Sequence, residues 1–290
     1  VLLVGGCATR PAIRLSPEAR AANDVEGNLV VRHLSLRYAD PATTCHNRPT
    51  EPIFLCSGVM LRATRYSPDY HSWVPNPASP KGDGVSFSYI RMDAKFGKLA
   101  YGYVHGFIVY PLFNNPAPVV DLEILCAFPI DSDSDRRSAD GCGDHALYPG
   151  ASKPCQDQGI VTSDQWVAHY RAQGVVNRRD HQCGFRLVSG TPDSAALFMQ
   201  LIGSMAELGP ESFGTQNELI VGSWAATPNQ IGVEAFFYLG GSNGLAESQK
   251  EQRDFYDTVH YWRPLIRMDL PASPAGAVTF SYQPSEQGVQ

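Results

Sequence analysis

Between residues 29 and 282 the chain keeps returning to one pattern, a short run of apolar, β-branched and aromatic residues closed off by Gly, Pro, Asn or Asp. Such runs signal strands, and their number constrains the fold more than any other feature. They cover Leu29 to Leu36, Phe54 to Ala63, Val85 to Met92, Val104 to Pro111, Val119 to Ala127, Leu219 to Trp224, Val233 to Leu239, Pro264 to Leu270 and Val278 to Tyr282. Three stretches carry helical signals instead. Ser163-Asp164-Gln165-Trp166 opens a helix that ends by Gly174. Thr191-Pro192-Asp193 opens another, with Pro at the first helical position and Gly209 past its end; Ala196, Leu197, Leu201, Ile202, Met205 and Leu208 form its inward stripe. Leu245 to Thr258 is a charged helical segment. Trp73 to Gly84 is too rich in Pro and Gly for a helix interior and is expected as a surface loop. The expected fold class is α+β, dominated by β structure as a mixed sheet or two packed sheets. A few helices and a disulfide-braced insertion between Cys126 and Cys183 complete a single domain over residues 28–290.

A chain of 290 residues that is 43% hydrophobic and 18% charged can bury a substantial core. Its formal charge of -6 argues against holding nucleic acid through the overall field. Val1-Leu2-Leu3-Val4-Gly5-Gly6-Cys7 resembles the end of a bacterial lipoprotein signal, in which small residues precede the cysteine that is diacylated. Residues 1–7 are then a signal remnant ending at a lipidated Cys7, the only membrane contact. Residues 8–27 are expected as a tether, with a single helical turn at Ser16 to Arg20. The location implied is the bacterial envelope, lipid-anchored, or the secreted space.

With Cys7 set aside, Cys45, Cys56, Cys126, Cys142, Cys155 and Cys183 remain, an even number that suits three disulfides in an oxidising compartment. Fifteen pairings are possible, and local closure favours Cys45 with Cys56, Cys126 with Cys142 and Cys155 with Cys183. No CxxC pair supports zinc. Asp131-Ser132-Asp133-Ser134-Asp135 fails as a calcium loop, because Arg136 and Cys142 stand where the EF-hand needs Gly and Glu. No metal site is expected.

Candidate chemistry concentrates in a few places. Arg62 lies on an expected strand, Ser86 and Ser88 lie on the next, and Thr215-Gln216-Asn217-Glu218 leads into a later one. The order Arg, Ser-x-Ser, Gln-x-Glu resembles that of mono-ADP-ribosyltransferase toxins, with Phe87 where that family has a central Thr. The resemblance implies NAD as substrate, with Arg62 on its phosphates and the serine strand shaping the nicotinamide cleft. Gln216 would orient the acceptor. Glu218 would stabilise the oxocarbenium character that develops as the nicotinamide-ribose bond breaks. Glu123, in Asp121-Leu122-Glu123-Ile124-Leu125, competes with Glu218 for the carboxylate role.

Over most of the chain, Leu55-Cys56-Ser57-Gly58-Val59, Gly84-Val85-Ser86-Phe87-Ser88-Tyr89, Leu125 to Asp131, Asn217-Glu218-Leu219 and Glu234 to Tyr238 are similar to halovibrin-like secreted bacterial proteins. That resemblance implies an exported ADP-ribosyltransferase or NAD glycohydrolase with a protein acceptor of ADP-ribose. The alternative is a noncatalytic envelope lipoprotein that binds a protein or glycan, with the aromatics of His260-Tyr261-Trp262 as a sugar platform. His105 and His71 stand as isolated candidate bases, and no GxSxG elbow accompanies them. The oligomeric state is open.

Overall fold

The computed structural model describes residues 13–45, 49–50, 52–74, 84–109, 120–132, 142, 154–174, 181–187, 193–225 and 232–290. Nine strands form one mixed sheet. In chain order they are β1 Val59–Thr64, β2 Val85–Ile90, β3 His105–Val109, β4 Val120–Phe128, β5 Phe185–Arg186, β6 Glu218–Ala225, β7 Val233–Leu239, β8 Leu265–Asp269 and β9 Thr279–Tyr282. The helices are α1 Pro17–Ala39, α2 Ser163–Ala172, α3 Asp193–Leu208, α4 Pro210–Phe213 and α5 Leu245–Val259. The sheet order is β5-β4-β6-β2-β1-β3-β7-β8-β9. All neighbours are antiparallel except β7 and β8, which run parallel because α5 carries the chain back over the sheet between them. The α+β expectation holds, with one sheet rather than two.

Both faces are covered. On one, Met60, Phe87, Tyr89, Phe107, Leu219, Val221 and Phe236 pack beneath α2, α3 and α5, which contribute Trp166, Phe198, Leu201 and Phe255. On the other, Val59, Leu61, Ile90, Ile108, Phe237, Ile266 and Phe280 pack beneath Leu34 and Tyr38 of α1. Strand residues therefore alternate between two cores, which is why the runs read as nearly continuous apolar sequence. In α3, Leu197, Leu201, Ile202, Met205 and Leu208 are buried as the periodicity predicts, but Ala196 is exposed and Phe198 takes its place inside.

One element corrects the sequence expectation. Leu29 to Leu36 is not a strand but the middle of α1. Ser16 caps this helix by accepting from the Ala19 backbone N–H at 3.2 Å, Pro17 sits in its first turn, and Glu18 and Arg37 suit the dipole at their respective ends. Residues 17–27, expected as part of a tether, are its first turns and are packed: Gly27 is buried against Tyr282 of β9, whose hydroxyl donates to Asp24 Oδ1 at 2.8 Å. The run was ambiguous because a short apolar stretch carries no decisive period of its own.

The three disulfides join Cys45 to Cys56, Cys126 to Cys142 and Cys155 to Cys183, the pairing that local closure favours. They point to an oxidising, non-cytoplasmic location. Cys7 and most of the stretch between Cys126 and Cys155 lie outside the described residues. No helix among the described residues is long and apolar enough to cross a membrane.

Candidate functional site

The register places the expected site residues on particular faces. Ser86 lies opposite Ile220, and Glu123 opposite Gly222. Continuing the β2–β6 ladder by one residue beyond Phe87↔Leu219 sets Ser88 beside Glu218. Alternation along β6 then puts Ser86, Ser88, Glu218 and Glu123 on one face, that of Ile220. Arg62 pairs with Phe107 and shares the face of Met60 and Phe87, the opposite one. The structure thus brings the two serines and both acids to one side of the sheet and leaves the guanidinium on the other, where its Nη1 donates to the Ser72 carbonyl at 3.4 Å.

Accessibility divides the set further. Ser88 is 1% exposed and Glu218 2%. Glu218 Oε2 accepts from both the backbone N–H and the hydroxyl of Ser132, at 3.1 and 2.7 Å. Next to it the Asp131 N–H donates to the Gln216 carbonyl at 2.8 Å, and the Ala100 N–H donates to Gln216 Oε1 at 3.1 Å. Asn217 is fully buried and brackets Tyr89, its Oδ1 accepting from the Tyr89 N–H at 2.8 Å and its Nδ2 donating to the Tyr89 carbonyl at 2.7 Å. The triplet Gln216-Asn217-Glu218 fastens three distant segments at the start of β6. Ser86 and Glu123 alone of the face-sharing group are only partly buried.

Two acids, Glu251 and Glu234, are buried against histidines elsewhere in the fold. On the Arg62 face, His105 Nδ1 lies 3.3 Å from Glu251 Oε2, and Thr64 donates to Glu251 Oε1 at 2.9 Å. On the α1 face, Glu234 meets His33 Nδ1 at 2.7 Å and Arg37 Nη1 at 3.6 Å. Burial pulls the Arg37 pKa down, opposed first by Glu234. Both clusters pair residues about 150 to 200 positions apart, as the 146-residue separation of His105 and Glu251 and the 201-residue separation of His33 and Glu234 record. In the sequence His105 stood as an isolated candidate base without a visible partner, and Glu234 stood within the apolar run Val233 to Leu239.

The expected aromatic platform is split. His260 is the left-handed C-cap of α5, and Tyr261 is exposed beneath the Arg263 guanidinium, 4.2 Å from its ring centre. Trp262 turns inward against Tyr282. It helps to line a groove of about 440 Å³ between the first turns of α1 and the segment after β9, with Arg20, Asn23, Asp24 and Gln287 as polar lining. Its indole Nε1 has no hydrogen-bond partner among the described residues. No group of three or more His, Cys, Asp or Glu among the described residues is placed to hold a metal ion.

No protein-family model matches the chain, and no curated protein matches it.

Proposed function

We propose that the protein is a noncatalytic binding protein of the bacterial envelope, held at a membrane by a lipid on Cys7, whose disulfide-braced body engages a glycan or protein partner. The observation that carries this reading is the separation of Arg62 from Glu218. A dinucleotide held by its phosphates on one face of a sheet cannot present its glycosidic bond to a carboxylate on the other. The burial of Glu218 adds to it, because a carboxylate only 2% exposed, with Oε2 held by the Ser132 N–H and hydroxyl, presents almost no surface to a ribose hydroxyl. The groove beside Trp262 supplies what a polar ligand needs, an aromatic wall with a cation, a carboxylate and amides around it.

The test is direct. Oxidised protein incubated with NAD labelled in the nicotinamide ring is expected to release no more label than Glu218→Gln and Glu123→Gln variants, with or without acceptor proteins. Release that disappears in either variant would instead establish the NAD-cleaving activity implied by the halovibrin-like resemblance. Mass spectrometry of the membrane-extracted protein is expected to find diacylglycerol on Cys7.

A further inference from the structure

The outward face of α1 is unusual for a surface helix. Ala22, Val25, Leu29, Arg32, Leu36 and Ala39 follow one another at alternating spacings of three and four residues, and every one is exposed. Val25 is 62% exposed, Leu29 58% and Leu36 61%. The flanking exposed positions, Ala21, Asn28 and Ser35, carry no charge. Surface helices ordinarily turn charged residues outward, whereas this spacing is that of the a and d positions of a coiled-coil seam. The inner face is already occupied by the sheet, through Gly27, Leu34, Arg37 and Tyr38. Apolar residues therefore occupy both sides of α1, one partnered within the chain and one not.

We infer that this seam is the dimer interface of the protein, covered by the α1 helix of a second copy running antiparallel. The side chains argue for that occupant. Read in either direction, the seam has small residues at its ends and large ones in its middle. An antiparallel copy therefore sets Ala22 against Ala39, Val25 against Leu36 and Leu29 against the alkyl stem of Arg32, small on small and large on large. Charge selects the same direction. In a parallel pair the two Arg32 guanidinium groups sit level with one another, whereas in the antiparallel pair they are offset by three residues and each comes within about one turn of Glu26 of the other copy, a carboxylate that also meets Arg263 Nη1 at 3.5 Å in its own chain.

The extent is sufficient for a reversible dimer. From Ala22 to Ala39 the seam is about 26 Å long, and with a helix about 10 Å wide the two facing footprints add to about 500 Å², the size of a weak, transient contact rather than a permanent one. The inference is independent of what the groove beside Trp262 binds and of whether the protein turns over NAD.

The test uses the full chain carrying Cys7→Ser, so that neither lipid nor a stray thiol contributes. Light scattering across a concentration series is expected to show a monomer–dimer equilibrium, weakened roughly tenfold or more by Leu29→Glu. The thermal midpoint of the Leu29→Glu monomer should match that of the parent protein diluted to its monomeric state, because Leu29 touches no core. Cysteine pairing then fixes direction. Mixing Val25→Cys protein with Leu36→Cys protein should give a disulfide-linked dimer of the two, and neither alone should cross-link. Self-linking of each variant alone would overturn the antiparallel arrangement, and a monomer at every concentration would overturn the interface itself.

Discussion

Asn217 does with one side chain what a neighbouring strand does with two backbone groups, accepting from and donating to Tyr89. Asn217→Ala leaves a buried N–H and a buried carbonyl unpaired, each costing about 1–3 kcal/mol, and should lower the midpoint of denaturant unfolding accordingly. Glu234→Gln removes the counter-charge from buried Arg37 and should destabilise the protein by about 3–5 kcal/mol, again measured by denaturant unfolding. Tyr89 makes a pH-dependent contribution. It is fully buried, donates to the Ser57 carbonyl at 3.0 Å, and burial pushes its phenol pKa well above the ordinary value. Below about pH 10 the phenol is neutral both folded and unfolded, so the stability is intact. Above it the unfolded chain ionises while the folded one resists, and stability falls as pH rises. Replacing Tyr89 with Phe should flatten that alkaline loss in urea titrations from pH 9 to 11. At this scale the sequence was half legible. The Gln-x-Glu order singled out Gln216 and Glu218, and the structure gives both of them, and Asn217 between them, hydrogen bonds to distant segments. Their partners Ala100, Tyr89 and Ser132 lie 116, 128 and 86 residues away, so nothing local in the sequence announced these bonds.

Among the elements, α1 repays the closest comparison. Strands were legible wherever turn residues closed an apolar run, and α2 and α3 wherever a cap and a period coincided; α2 is opened by a capping box between Thr162 and Gln165. In α1 the cap at Ser16 and Pro17 was visible, but the apolar run begins many residues later and reads as a separate strand. The periodicity was masked because the helix has apolar residues on two sides. Gly27 gives the element a measurable signature. A glycine in mid-helix ordinarily weakens it, and Gly to Ala gains about 1 kcal/mol. Here an added Cβ would fall 2.5–2.8 Å from the Tyr282 ring carbons. Gly27→Ala should therefore destabilise the protein by about 1–3 kcal/mol, visible as a lower thermal midpoint, with recovery when Tyr282 is also shortened to Leu.

Across the whole molecule the cross-links are unevenly placed. The bonded residues are 11, 16 and 28 positions apart, and loop entropy ranks their contributions in that order, from about 3 to about 3.5 kcal/mol. Removing Cys155–Cys183 by paired Ala substitutions should lower stability most, and removing Cys45–Cys56 least, in denaturant unfolding. One bond sits just before β1 and two fasten β4 and the approach to β5, whereas β3, β7, β8 and β9 carry none and depend on packing under α1 and α5. Trapped in a reducing cytosol, the chain would loosen from one margin first, baring the backbone of β4 as a template for aggregation. Such an architecture suits a compartment where thiols are oxidised, with the unlinked margin free to form before the bridges close.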